Sequence, residues 1–123
     1  MEAILDANFI ISCMRRKIDF FNELLGMGFK IVVPRNVLQE LKDIRNRAGS
    51  SHDDRMAIDM AFEIIEKNRI KKIGLGSGKV DESLIKIGKE GAYIATLDRE
   101  IKRKVPNRIV IKDSENRLVI ERD

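Results

Sequence analysis

Short apolar runs alternate along this chain with longer stretches in which apolar residues recur every three or four positions. Ala3–Ile4–Leu5 is a short apolar run that ends at Asp6. Helical spacing follows from Phe9 to Cys13 and again from Ile18 to Leu25, with Gly26 and Gly28 punctuating the second stretch. Phe29–Val33 reads as a buried strand stopped by Pro34, and Val37, Leu38, Leu41 and Ile44 form one stripe of a helix over Asn36–Asn46. Arg45 to Ser51 is polar and carries Gly49–Ser50–Ser51, which predicts a loop, and Ser51 then caps a helix over His52–Lys67. Ile70–Ile73 is a short strand, followed by a glycine-rich loop from Gly74 to Gly78. A helix runs from about Val80 to Lys89 and ends at Gly91. Tyr93–Ile94–Ala95 is a buried strand, and a basic helix covers about Asp98 to Lys104. Ile109–Ile111 and Leu118–Ile120 flank Asp113–Asn116, the signature of a closing hairpin.

Apolar strands alternating with amphipathic helices predict an α/β fold, a three-layer α/β/α sandwich around a mostly parallel sheet. At 123 residues the chain has room for a single domain over 1–123, with no repeat, low-complexity tract or linker. Charged residues make up 36% and hydrophobic ones 43%, enough for a core under a densely ionic surface. No apolar run approaches a membrane span or a signal-peptide core, so no membrane role and a cytoplasmic location are expected. A lone Cys13 is read as a small buried apolar residue, in keeping with a reducing compartment. A single Gln among many Ile, Lys, Arg and Glu is a thermophile-like composition. The net charge of +4 is a mild basic bias, compatible with a polyanionic partner.

In sheets of this kind chemistry sits beyond the carboxyl ends of the strands. Asp6 stands directly after the first strand, and Asp98 follows Tyr93–Thr96 by one leucine. Two carboxylates delivered to one sheet edge repel unless a proton or a cation lies between them. Hard divalent cations take such oxygen ligands. Helical phase adds two further acids. Glu40 lies roughly 90° from the centre of its helix's apolar stripe, at the boundary of that face. Asp81 falls inside the stripe of Val80, Leu84, Ile85 and Ile87, roughly 50–60° from its centre, whereas Glu82 falls roughly 150° away. An acid at an inward-facing helix start is costly unless it caps the helix or binds a cation.

Taken in order, Ile4–Leu5–Asp6–Ala7–Asn8, Val37–Leu38–Gln39–Glu40–Leu41, Val80–Asp81–Glu82–Ser83–Leu84 and Ala95–Thr96–Leu97–Asp98–Arg99–Glu100 resemble the PIN-domain nucleases. The likeness is greatest to archaeal single-domain members of the ribosomal-RNA-processing branch, and it extends through the closing hairpin. It implies a ribonuclease whose catalytic acids Asp6, Glu40, Asp81 and Asp98 hold Mg²⁺ or Mn²⁺, with Asn8 and Thr96 at the supporting polar positions. Where the family often has Asn before the last acid, this chain has Leu97. The metal would polarise a phosphoryl oxygen and acidify a bound water for in-line attack on the phosphodiester. An acidic pocket repels RNA, so basic rims must bring the strand in. Candidates are Arg15–Arg16–Lys17, Arg45 and Arg47 in the loop, and Arg99, Lys102, Arg103 and Lys104. Expected partners are RNA, single-stranded by preference, with an antitoxin, a ribosome-assembly factor or a second copy of the chain left open.

Each acid also has a plainer use. Asp6, Asp81 and Asp98 can cap helices, and Glu40 can be surface charge. Their joint occurrence is what points to a site. His52 beside Asp53 and Asp54 imitates a metal cluster, but acids at a helix start complement the dipole. Gly74–Lys79 fails the spacing of a phosphate-binding loop, which would need Gly at Ile73 and Ser or Thr at Val80. An aspartate phosphotransferase of the haloacid-dehalogenase kind would want Asp where Asn8 stands, and a phosphoacceptor receiver would want an acidic pair after the first strand. The rival reading is a catalytically silent RNA-binding or scaffold protein of the same fold.

Overall fold

The computed structural model describes residues 1–123. Six strands form one sheet: β1 (Glu2–Leu5), β2 (Lys30–Pro34), β3 (Lys71–Ile73), β4 (Tyr93–Ala95), β5 (Asn107–Lys112) and β6 (Arg117–Arg122). Their spatial order is β3-β2-β1-β4-β5-β6, parallel except for the antiparallel pair β5–β6. The helices are α1 (Ala7–Arg15), α2 (Phe20–Gly26), α3 (Arg35–Asn46), α4 (His52–Lys67), α5 (Val80–Lys89) and α6 (Arg99–Lys104). The predicted α/β/α class is therefore the observed one. No helix is long and apolar enough to cross a membrane.

The pleat divides the core in two. Ala3 and Leu5, Ile31 and Val33, and Tyr93 and Ala95 point to one face, where α1, α2, α3 and α4 supply Phe9, Ile10, Phe20, Leu24, Leu41, Ile58 and Ile65. The alternate residues Ile4, Val32 and Ile94 point to the other, smaller core with Leu84 of α5, Ile101 of α6 and Val105. Central strands buried on both faces read as continuous apolar runs, which is why β1, β2 and β4 stand out in the sequence.

α5 approaches the sheet closely because Gly88 has no side chain. A Cβ there would lie 2.5 Å from Val105 Cγ1 and 3.0 Å from Ile94 Cγ1. At the far edge, the hairpin turn docks on the first two helices. Asn116 Nδ2 donates to the Arg16 carbonyl at 2.8 Å, and the Leu118 amide donates to Glu23 Oε1 at 3.0 Å.

Three local expectations are corrected. Arg45 lies in the last turn of α3 rather than in a loop, because the helix continues to Asn46 and Arg45 pairs with Asp59 of α4 through Nε–Oδ1 at 2.6 Å. The buried side of α5 is set by Leu84 and Gly88, and Ile85 and Ile87 are only half-buried. Asp81 keeps its predicted phase, roughly 20° from Gly88, but sits in the first turn beyond the sheet end and is exposed.

Candidate active site

The strand order reverses at β1. The chain steps from β1 through β2 to β3 on one side, then returns to build β4, β5 and β6 on the other. The crevice outside the carboxyl ends of β1 and β4 is thus the topological switch point, where open α/β sheets bind ligands. A cleft of about 830 Å³ lies there, walled by the acids Asp6, Glu40, Asp81 and Asp98, with Asn8, Ser12, Arg15, Arg16, Ile11 and Leu97 completing it. All four predicted acids and Asn8 line this one cleft. Ile11 and Ser12 carry no sequence signal of their own, although both lie about one turn from Asn8 on the same face of α1.

Two of the acids are held by the backbone they terminate. Asp6 is the N-cap of α1, its Oδ1 accepting from the Ala7 amide at 2.9 Å. Asp98 is the N-cap of α6, its Oδ1 accepting from the amides of Glu100 at 2.8 Å and Ile101 at 3.3 Å. Capping and lining the cleft are therefore compatible uses of one carboxylate. Thr96, fully buried, joins them: its Oγ1 donates to Asp6 Oδ2 at 2.9 Å and accepts from the Asp98 amide at 3.1 Å. One hydroxyl thus fixes the ends of β1 and β4 relative to each other.

The other two acids are free of such duties. Asp81 does not cap α5, whose N-cap is Lys79 with no side-chain cap bond. The preceding loop is tied to the helix by Ser83 Oγ donating to the Leu75 carbonyl at 3.4 Å. Glu40 reaches the cleft from the middle of α3.

None of the four takes part in an ion pair. The two arginines in the same cleft are turned to other acids. Arg15 pairs with Asp54 at 3.1 Å and Asp53 at 3.8 Å, and Arg16 pairs with Asp113 at 2.7 Å. The acid at the end of β1 pays for this arrangement electrostatically. Burial pushes the Asp6 carboxyl above its ordinary 3.8, hydrogen bonds from Thr96 and Ala7 pull it back in part, and the nearby charges of Asp81 and Asp98 push it up again. Glu40 is raised from 4.5 first by desolvation against the cleft wall, then by Asp6, Asp81 and Asp43, with Arg47 opposing. Glu40 is open to solvent along the cleft's side, so its shift is the more readily screened.

An all-oxygen, uncompensated carboxylate set fits a hard divalent cation by its chemistry. As the side chains stand, no three acids gather closely enough to form a closed ligand cage. The His52–Asp53–Asp54 cluster serves α4 instead: Asp53 and Asp54 lie in its first turn and engage Arg15.

The remaining basic candidates fall elsewhere. Arg47 is the C-cap residue of α3, exposed, and near enough to Glu40 to act on its charge. Arg45 is committed to Asp59. Arg99, Lys102 and Arg103 do not rim the acidic cleft as expected. They line a separate hollow with Arg108, Glu121 and Asp123, because α6 packs on the other face of the sheet from α1.

The six-stranded sheet with carboxylates at its switch point is the architecture of an α/β domain with a ligand site at its strand ends. The PIN like domain family matches residues 3–112, and the chain belongs to that family. The match ends with β5, so the hairpin turn and β6 lie outside it, although the sequence likeness was read through them. A domain of a functionally unknown protein from Methanocaldococcus jannaschii is similar in structure, with a TM-score of 0.51 and 19% identity over 83% of this chain and 81% of that one. That likeness bears on the fold alone. No curated protein matches the chain.

Proposed function

We propose that this PIN-like domain is a ribonuclease that hydrolyses RNA phosphodiester bonds with Mg²⁺ or Mn²⁺ held at Asp6, Glu40, Asp81 and Asp98. The observation that carries the reading is that four acids from four separate elements line one cleft at the switch point, and none is neutralised by a basic partner. A fold with stability as its only demand gains nothing from that repulsion. When bound there, a divalent cation supplies Lewis acidity toward a phosphoryl oxygen and a water.

The chain's own residues do the rest. Thr96 fixes Asp6 against Asp98, and the α1 and α6 caps stop both carboxylates from swinging. Asp81 and Glu40 carry no cap or ion pair and are free to close on a ligand. Asn8, exposed at the cleft, offers an amide donor toward a phosphate oxygen. Within this reading the cellular role is either RNA maturation, as in the ribosomal-RNA-processing branch, or that of a toxin-type nuclease with an antitoxin partner. A silent RNA-binding scaffold is the alternative.

Cleavage of a single-stranded RNA in Mn²⁺ by Asp6→Asn, Asp81→Asn and Glu82→Gln, with folding checked by circular dichroism, tests the proposal. Asp6→Asn and Asp81→Asn should lose turnover by orders of magnitude, while Glu82→Gln, directed away from the cleft, should cut like the parent. Folded parent protein that neither cuts RNA nor gains thermal stability from millimolar Mn²⁺ would leave the scaffold reading standing.

A further inference from the structure

The cleft is not uniformly acidic. Its floor is one face of α1, where Asn8, Ser12 and Arg15 recur at helical spacing, so the helix runs from the acids at its N-terminus to Arg15 and Arg16 at its C-terminus. The two poles lie roughly 14 Å apart along the helix axis, nine residues at 1.5 Å each. Each arginine is occupied by an acid from outside the acidic set: Arg15 by Asp53 and Asp54 of α4, Arg16 by Asp113 of the β5–β6 turn. The Arg16–Asp113 pair is solvent-exposed, with side-chain exposures of 36% and 79%, and Asp54 in the Arg15 pair is half-buried. Exposed pairs are weak, and the two non-bridging oxygens of a phosphodiester can accept the same paired guanidinium N–H bonds as a carboxylate.

Resting on the ribonuclease reading, we propose that Arg15 and Arg16 are the anchor for a substrate phosphate distant from the scissile one, and that Asp113 is a resident counter-ion which that phosphate displaces. The α1 floor is then the track of an extended single strand, and its polarity sets which part of the strand lies over the acids. The turn that carries Asp113 also clamps the Arg16 carbonyl through Asn116, so it holds the C-terminal end of the track in place.

The test is binding of a fluorescent single-stranded RNA in chelator, so that no strand is cut, across a salt series. Arg15→Gln with Arg16→Gln should weaken binding about tenfold and reduce the slope of log affinity against log salt by about 0.7, the value for one phosphate contact on a single strand. Asp113→Asn, which removes only the competitor, should tighten binding by up to about fivefold, the ceiling set by an exposed ion pair. Lys89→Gln, a cation at the opposite end of α5, should change neither. Matched DNA should respond to the arginine changes as RNA does, since phosphate alone is read. Parent protein that binds RNA with an affinity and salt slope unaltered in the arginine variant overturns the anchor. So does looser binding by Asp113→Asn, whose surface position makes misfolding no excuse. A folded parent with no RNA affinity at all removes the ribonuclease reading and the anchor with it.

Discussion

Gly88→Ala tests whether the sheet-hugging position of α5, which carries Asp81 to the cleft, depends on one missing methyl. The added Cβ would meet Val105 Cγ1 at 2.5 Å, Val105 Cβ at 2.9 Å and Ile94 Cγ1 at 3.0 Å. Optimal carbon–carbon contact is about 3.5–4.0 Å, so the helix or Val105 must retreat by roughly 1 Å. Neither neighbour yields easily, since Ile94 is fully buried and Val105 is a β-branched side chain with 1% exposure. Overpacking of this kind costs about 1–3 kcal/mol, against a helix-propensity gain of about 1 kcal/mol for replacing Gly. The net expectation is a loss of about 0–2 kcal/mol, centred near 1, and a fall in Tm of about 4 °C. Gly26→Ala is the internal control, because that helical glycine has nothing within 4 Å of its Cβ position and should gain about 0.5–1 kcal/mol. Val105→Ala in the Gly88→Ala background should restore room, so that the double variant is more stable than the sum of the single losses by about 1 kcal/mol or more. Urea unfolding followed by circular dichroism measures all four. If Gly88→Ala is as stable as Gly26→Ala, the close approach of α5 is not what the glycine is for.

Two further outcomes follow from the acids and their clamp. Because folding raises the carboxyls of Asp6 and Glu40, these two groups bind protons more tightly in the folded state, so their contribution to the metal-free protein's stability should fall as pH climbs from their ordinary 3.8 and 4.5 through the raised values, against an opposite contribution from the lowered carboxyls of Asp59 and Glu115. Thermal melts in chelator from pH 4 to 8 check this by difference: Asp6→Asn should gain stability relative to the parent as pH rises, and a gain that shrinks with pH would refute the sign. Thr96→Val removes a fully buried hydroxyl from between Asp6 Oδ2 and the Asp98 amide, and should cost about 1–3 kcal/mol in chemical denaturation while weakening Mn²⁺ binding measured by calorimetry.

Much of this arrangement is readable from residues alone, and the parts that are not have identifiable causes. β1, β2 and β4 are legible because strands buried on both faces need unbroken apolar runs, and Asp6 and Asp98 are legible because each stands where such a run stops. Phase separates Asp81 from Glu82 because α5 has a genuine buried side. Depth is another matter: periodicity reports direction around a helix, and whether a first-turn residue is covered depends on how far the helix overhangs the sheet. The helix over Asn36–Asn46 ends where the sequence puts it, but the loop reading of Arg45 fails: Arg45 lies in the last turn and pairs with Asp59 on a different helix, a partner no local pattern names. The location of Arg99, Lys102 and Arg103 depends on which face of the sheet α6 covers, and no local pattern encodes that. Nor does the sequence show that Arg15 and Arg16 face the acids across one cleft, since their partners Asp54 and Asp113 are far away along the chain.

The separation of charge within the cleft is the feature that stability alone does not explain. Arg15 and Arg16 share a cavity with four carboxylates, yet each is neutralised by an acid that is not among them. Helix caps and a buried threonine hold Asp6 and Asp98 in place, contacts that stabilise their charges without neutralising them. Local structure thus fixes the positions of the acids and leaves the repulsion between them unrelieved. Sites where local consistency gives way in a well-satisfied fold are where function is expected. Here the unrelieved term has a definite sign: the cleft favours whatever brings positive charge to the acids. A hard divalent cation would meet that demand.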